Sequence, residues 1–161
     1  HSEFNHGDKP LRFLQIWINP LEYNVKPRYG GFLGDLAART NTFAHLVSNV
    51  GTEPVTPVQL IQDVNVHVAE INKKGHTVSL PLAKGRMAYL ICIEGSIKIS
   101  HGSTERTLVR HDAAEIMGIS ESGDLVVECL DVETTESGDV AHVLVLEMKE
   151  DGKGGRRDIS A

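Results

Sequence analysis

Apolar and polar residues alternate along several short stretches of this chain, with the period of two that is typical of β-strands. The clearest stretch is 64–71, where Val64, Val66 and Val68 alternate with Asn65 and His67 to give a half-buried strand. Similar stretches lie at 11–18, 43–48, 87–93, 97–100, 124–130 and 140–147, and turn sequences rich in glycine and serine separate them. Short strands joined by turns at this spacing predict an all-β sandwich or barrel, with a short helix possible within 32–38.

The stretch 11–18 differs from the others because it is apolar on both of its faces. As a strand, it would need cover for Phe13, Ile16, Trp17 and Ile18 on both sides, as in a strand buried within a larger sheet. We therefore expect either the chain's own barrel or a second copy of the chain to cover it, because an open apolar edge invites pairing. The sequence thus allows a homo-oligomer formed through 11–18.

Length and composition agree with one complete core. The chain has 161 residues, of which 40% are hydrophobic, enough for a domain that needs no disulfide to hold it together. Residues 19–42 lack alternation and are predicted to link an N-terminal piece, 1–18, to a barrel at 43–148. Residues 149–161 have no apolar period and are predicted to be a flexible tail. The longest apolar run, 87–93, is far shorter than the ~20 residues that a membrane helix requires.

Charge and cysteine content narrow the range of partners. Acidic residues outnumber lysine and arginine by 22 to 16, for a net charge of −6. The stretch 111–147 carries acidic residues throughout and no lysine or arginine, so we expect no direct nucleic-acid partner and no membrane partner. Cys92 and Cys129 each lie within an apolar run, which predicts buried free thiols and a reducing compartment such as the cytoplasm.

The first residues hold the strongest candidate for metal chemistry. His1 and Glu3 are two positions apart, so on an extended chain the imidazole and the carboxylate point the same way. One nitrogen and one oxygen ligand on the same side suit a divalent transition metal such as non-haem iron. His6 is the other histidine that could make a metal contact near this point, whereas the later histidines are interpreted as surface or hydrogen-bonded core residues.

Several motifs together resemble the pirin family over 1–147. They are His1-Ser2-Glu3-Phe4-Asn5, the run Leu-Arg-Phe-Leu-Gln-Ile-Trp-Ile at 11–18, Pro27-Arg28-Tyr29, Gln62-Asp63 and the stretch 82–86. Pirins are double cupins, with two jelly-roll β-barrels in one chain, and the first barrel holds a single iron through three histidines and one glutamate. The resemblance implies a bicupin of which the C-terminal barrel is complete, while 1–18 represents the last strands of a truncated N-terminal barrel.

The resemblance also assigns roles to the first residues. His1 matches the third histidine ligand of the family, and Glu3 matches its carboxylate ligand and is a candidate proton acceptor in catalysis. The other two histidines of the family lie on a His-x-His strand, and this chain contains no His-x-His. We therefore expect iron to be absent or weakly bound in this chain, since each missing ligand removes binding energy. The second barrel also lacks ligands at the cupin motif positions, as it does in the family.

Three functions follow from the resemblance. The first is an iron-dependent oxygenase similar to quercetin 2,3-dioxygenase, acting on a flavonol-like small molecule. The second is an iron-sensing or redox-sensing transcription co-regulator that binds a transcription factor. The third is a non-catalytic structural cupin half without metal.

Overall fold

The protein is almost entirely β-structure. The structure, a computed structural model, describes residues 2–136 and 138–150. Its elements are α1 (Leu36–Arg39), β1 (Ala44–Asn49), β2 (Val58–Leu60), β3 (Val64–Ile71), β4 (Thr77–Leu82), β5 (Arg86–Glu94), β6 (Ser96–His101), β7 (Thr104–Val109), β8 (Ala113–Ile116), β9 (Gly123–Asp131), β10 (Glu133–Thr135) and β11 (Gly138–Lys149). The described helix is not long and apolar enough to cross a membrane.

The strands form two sheets that enclose the core. The larger sheet has the order β2-β1-β3-β11-β5-β8, with β10 paired to β11, and the smaller has the order β4-β9-β6-β7. Leu90 and Val145 of the larger sheet meet Ile97 and Leu125 of the smaller one in a fully buried cluster. Two sheets closed over a shared apolar interior make a jelly-roll barrel, which confirms the predicted all-β class.

The central strand β11 explains why the larger sheet is buried on both faces. It pairs with β3 on one side and β5 on the other. Val143 and Val145 point into the barrel, whereas Leu144 and Leu146 point outward. The outward side chains join Val64, Val66 and Val68 in a second apolar cluster on the outer face. The valines of β3 therefore lie outside the barrel, and the polar residues that alternate with them face its interior.

The prediction of a strand at 11–18 is wrong. The structure assigns no strand to these residues, and Phe13 and Trp17 are 60% and 81% exposed. The segment instead runs across the outer face of the larger sheet, where Ile18 packs on the outer apolar cluster. A chain that crosses the face of a sheet cannot join its hydrogen-bond ladder, because the unpaired backbone groups of a sheet lie at its edges.

The strands of the barrel span almost the same residues as the barrel predicted from the sequence. The strands begin at Ala44 and end at Lys149, close to the predicted barrel limits of 43 and 148. The short helix starts after Asp35, whose carboxylate accepts hydrogen bonds from the amides of Ala37 and Ala38, a common N-cap arrangement. Most of the predicted tail, 151–161, lies outside the described residues.

Candidate functional site

The motif at the start of the chain is only partly described. His1 lies outside the described residues, and Glu3 is exposed on a segment without regular structure. Glu3 lines a shallow surface depression together with 13–17. Within 2–136 and 138–150, no three metal-ligating side chains come together. The described residues therefore do not fit a metal ion by themselves, and Glu3 could contribute one ligand to a site whose other members lie elsewhere.

Contacts with the barrel hold the segment that follows Glu3. Arg12 makes an ion pair with Glu94, whose carboxylate is buried at the end of β5. The side-chain amide of Gln62 donates a hydrogen bond of 2.7 Å to the carbonyl of Asn19, and Leu21 donates one of 2.8 Å to the carbonyl of Ile61. These contacts fix the path of the chain across the outer face of the sheet.

A second group of polar side chains lies inside the barrel at one end. The sheet register places them side by side, because His45 of β1 is opposite His67 of β3 and Glu147 of β11 is opposite Asn65 of β3. Arg86 at the start of β5 completes the group, which we call the barrel-mouth cluster. Its members come from four strands of the larger sheet and all point toward the interior.

A continuous chain of hydrogen bonds links most of the barrel-mouth cluster. Arg86 binds Glu147 through two nitrogens, and its Nη1 is 2.7 Å from Oδ2 of Asp63. Asn65 donates from Nδ2 to Oε2 of Glu147 at 2.6 Å, so its Oδ1 is left to accept from Nε2 of His45 at 3.0 Å. Nε2 of His45 is then the donor in this bond, and in the uncharged ring Nδ1 carries a lone pair. The bond to Glu147 raises the pKa of Arg86 above its ordinary value, so this guanidinium stays charged.

His67 stands apart from that chain of hydrogen bonds. Its ring stacks on His45 with centroids 4.3 Å apart and meets Phe43 edge-on at 6.4 Å. Burial and, to a lesser extent, the neighbouring His45 lower the pKa of His67 to about 4, despite the opposing effect of Glu147. Among the described residues, none forms a hydrogen bond with its ring nitrogens. At neutral pH it is an uncharged imidazole with one N–H donor and one lone pair available.

A cavity of about 430 Å³ opens beside this cluster. The barrel-mouth cluster forms its polar side, and Leu80, Pro81 and Ala83 of β4 and the following turn form its apolar side. The sequence does not mark this cavity as a site, because a lone histidine on a strand is more often a surface or hydrogen-bonded core residue, the role predicted for His67. The sequence does show that β3 has one polar face. Whether that face points into the barrel or outward depends on strand pairing, which the sequence does not show.

The lowered pKa of His67 predicts how stability changes with pH. The folded protein keeps this ring neutral, while the unfolded chain protonates it near pH 6.5, so the unfolded state takes up more protons as the pH falls. The contribution of His67 is complete above pH 6.5 and is lost as the pH falls to about 4. After allowance for its partial exposure, we expect this loss to be about 2 kcal/mol of unfolding free energy.

Urea unfolding of the chain and of His67→Phe, at about pH 7.5 and about pH 4.5, measures this difference. The variant should lose less stability on acidification than the parent chain. The exposed His76→Phe is the matched control and should behave like the parent. Equal acid sensitivity in His67→Phe and the parent chain would contradict the assignment.

The closed two-sheet barrel with its polar mouth belongs to the cupin class of β-barrel proteins. Comparison with known proteins places the chain within that class. Residues 46–148 match the family model described as the quercetinase C-terminal cupin domain, and the chain belongs to this family. The chain thus corresponds to the C-terminal portion of a pirin-family protein, which confirms the resemblance seen in the sequence motifs.

Similar proteins of known sequence are longer than this chain, and the match covers only about half of each. A Zymomonas mobilis protein, provisionally named quercetin 2,3-dioxygenase, is 30% identical over 89% of this chain and 55% of its own length. A pirin-like protein of Caulobacter vibrioides is 25% identical over 81% of this chain and 53% of its own. Among solved structures, YhaK from Escherichia coli is 20% identical with a TM-score of 0.49, covering 66% of this chain and 41% of YhaK. The chain therefore spans about half the length of the curated relatives it matches.

Proposed function

We propose that this chain forms the C-terminal half of an iron-dependent oxygenase similar to quercetin 2,3-dioxygenase. The observation that carries the proposal is the match of 46–148 to the quercetinase C-terminal cupin family. The provisional name of the Zymomonas mobilis relative supports it. The His1-Ser2-Glu3 motif adds a nitrogen and an oxygen ligand of the kind that non-haem iron takes. The substrate would be a flavonol-like small molecule.

In this proposal the chain supplies two ligands and holds one of them in place. His1 and Glu3 would bind the iron together with ligands from residues outside this chain. A non-haem iron would supply the chemistry that activates oxygen. The chain's own task is to position Glu3, through the contacts of Arg12 with Glu94 and of Asn19 with Gln62 that fix the following segment on the sheet.

Oxygen uptake by the complete natural protein, incubated with ferrous iron and quercetin in air, tests the proposal. Glu3→Gln should lower iron content after dialysis and slow oxygen uptake by about tenfold or more, because a neutral amide is a weaker iron ligand than a carboxylate. Glu22→Gln is the matched control, since Glu22 is also an exposed carboxylate of the N-terminal segment. It should leave both iron content and oxygen uptake unchanged.

Other outcomes favour the other functions. Bound iron without oxygen uptake would contradict the oxygenase and favour an iron-sensing transcription co-regulator that binds a transcription factor in the cytoplasm or nucleus. A complete protein that holds no metal after dialysis would favour a structural cupin. Self-association through the exposed apolar residues of 11–18 also stays a proposal, independent of these outcomes.

A further inference from the structure

The cavity at the barrel mouth is separate from the depression at Glu3. The cavity lies at one end of the barrel, between inward-pointing side chains of the larger sheet and exposed residues of the rim, whereas Glu3 and 13–17 lie on the outer face of that sheet. A volume of about 430 Å³ is within the range of small-molecule sites. The cavity also combines an apolar wall with a few convergent polar groups, as such sites do. The cavity therefore has the features of a ligand site that is independent of iron binding at Glu3.

The charges around the cavity disfavour an anionic ligand. Arg86 is the cation among the lining residues, and its guanidinium already binds Glu147 and Asp63. Those two carboxylates, together with Glu53 at the rim, leave the lining with net negative charge. An anion would meet this negative charge without a cation free to pair with it. A cation would gain little from Glu147, because Arg86 and Asn65 already occupy both of its carboxylate oxygens.

The free hydrogen-bonding groups match a hydroxyl. His67 offers one N–H donor and one lone pair, and the uncharged ring of His45 offers the lone pair of Nδ1, since its Nε2 donates to Asn65. A hydroxyl group can accept from the N–H of one imidazole and donate to a lone pair of the other. The apolar wall of Leu80, Pro81 and Ala83 suits the hydrocarbon part of the same molecule.

We propose that this cavity binds a small uncharged molecule that carries hydroxyl groups on an apolar ring, with His67 as the residue that recognises a hydroxyl. The observation behind it is a half-buried imidazole in the wall of the cavity that has no hydrogen-bond partner among the described residues, next to a network in which Arg86, Glu147, Asp63 and Asn65 bind one another. If the two stacked rings of His45 and His67 served only for packing, an apolar ring would do as well as His67. A ligand that forms hydrogen bonds with the ring nitrogens explains why a histidine stands at this position.

Titration of the metal-free 161-residue chain with resorcinol, an uncharged ring with two hydroxyls, tests the proposal. Long-range proton–nitrogen spectra report the ring nitrogens of the histidines directly. Resorcinol should shift the signals of His67 and His45 saturably, while benzoate, an anionic ring of similar size, should bind at least about tenfold more weakly. Because the chain is metal-free in this experiment, its outcome does not depend on the oxygenase proposal.

Two variants separate recognition from a general effect on the fold. His67→Phe keeps a ring at this position but removes both nitrogens, and it should weaken resorcinol binding by about tenfold or more. Ala83→Trp places a large ring on the apolar side of the cavity, at an exposed position outside the strands that carry the polar cluster, and it should abolish binding even if His67→Phe does not fold. His76→Phe, in an exposed turn, should bind like the parent chain. The proposal fails if resorcinol leaves the His67 signals unchanged, if benzoate binds equally well, or if Ala83→Trp binds normally.

Discussion

Replacing Glu147 with glutamine is expected to lower the free energy of unfolding by about 3 kcal/mol, because the change removes the main carboxylate partner of the largely buried guanidinium of Arg86. The side chains of Glu147 and Arg86 are only 10% and 17% exposed. After the substitution Arg86 keeps Asp63 as its carboxylate partner, and that side chain is 42% exposed and screened by water. Removing one member of a buried pair costs more than the pair contributes, since the desolvated charge remains.

Urea unfolding of the variants at neutral pH measures this effect. The matched control is Glu128→Gln, which breaks the ion pair of Glu128 with Lys98 on the outside of the smaller sheet and should change stability little. The double variant Arg86→Met with Glu147→Leu should recover much of the lost stability, because it removes both charges from the interior. If Glu147→Gln is as stable as Glu128→Gln, the buried network does not hold the barrel mouth together.

The sequence predicts the strands whose side chains alternate clearly, and it misses the others for physical reasons. The stretch 64–71 coincides with β3, and 124–130 lies within β9. In contrast, β7 buries only Leu108 within a polar sequence, so it has almost no apolar pattern to detect. The strand β4 does alternate, but it contains Pro81, which usually demotes a stretch to an edge strand or a loop. Its position at the edge of the smaller sheet is where proline is tolerated.

The barrel-mouth cluster could not be predicted from the sequence, since its members are far apart along the chain. His45, Asn65, Arg86 and Glu147 meet through the pairing of β1, β3, β5 and β11, and a one-residue change of register would turn them outward. From the sequence alone, the valines of β3 would be expected to face the barrel interior. They face outward instead, because the outer face of this sheet carries an apolar cluster of its own. The metal motif, in contrast, is local in sequence: the spacing of His1 and Glu3 indicates it and the family resemblance supports it, but His1 lies outside the described residues.

Replacing Gly95 with alanine is expected to lower the free energy of unfolding by about 4 kcal/mol, from two costs that add. Gly95 joins β5 to β6, where the chain leaves the larger sheet for the smaller one, and its φ of +75° disfavours a side chain. A Cβ at this position would also lie 2.5 Å from the carbonyl oxygen of Asp131 and 3.1 Å from Cα of Ala141. Both are backbone atoms of strands β9 and β11, so neither can move aside without disturbing a sheet.

Gly75→Ala separates these two costs. Gly75 has a similar φ of +81°, but a Cβ there would meet nothing within 4 Å. That variant should lose only about 1 kcal/mol, the conformational cost of a left-handed backbone for alanine. Urea unfolding of the two variants and the parent chain therefore gives the steric contribution as the difference between Gly95→Ala and Gly75→Ala. Equal losses would mean that β9 and β11 can separate at this crossing, and that the link between the two sheets is looser than the close contact at Gly95 implies.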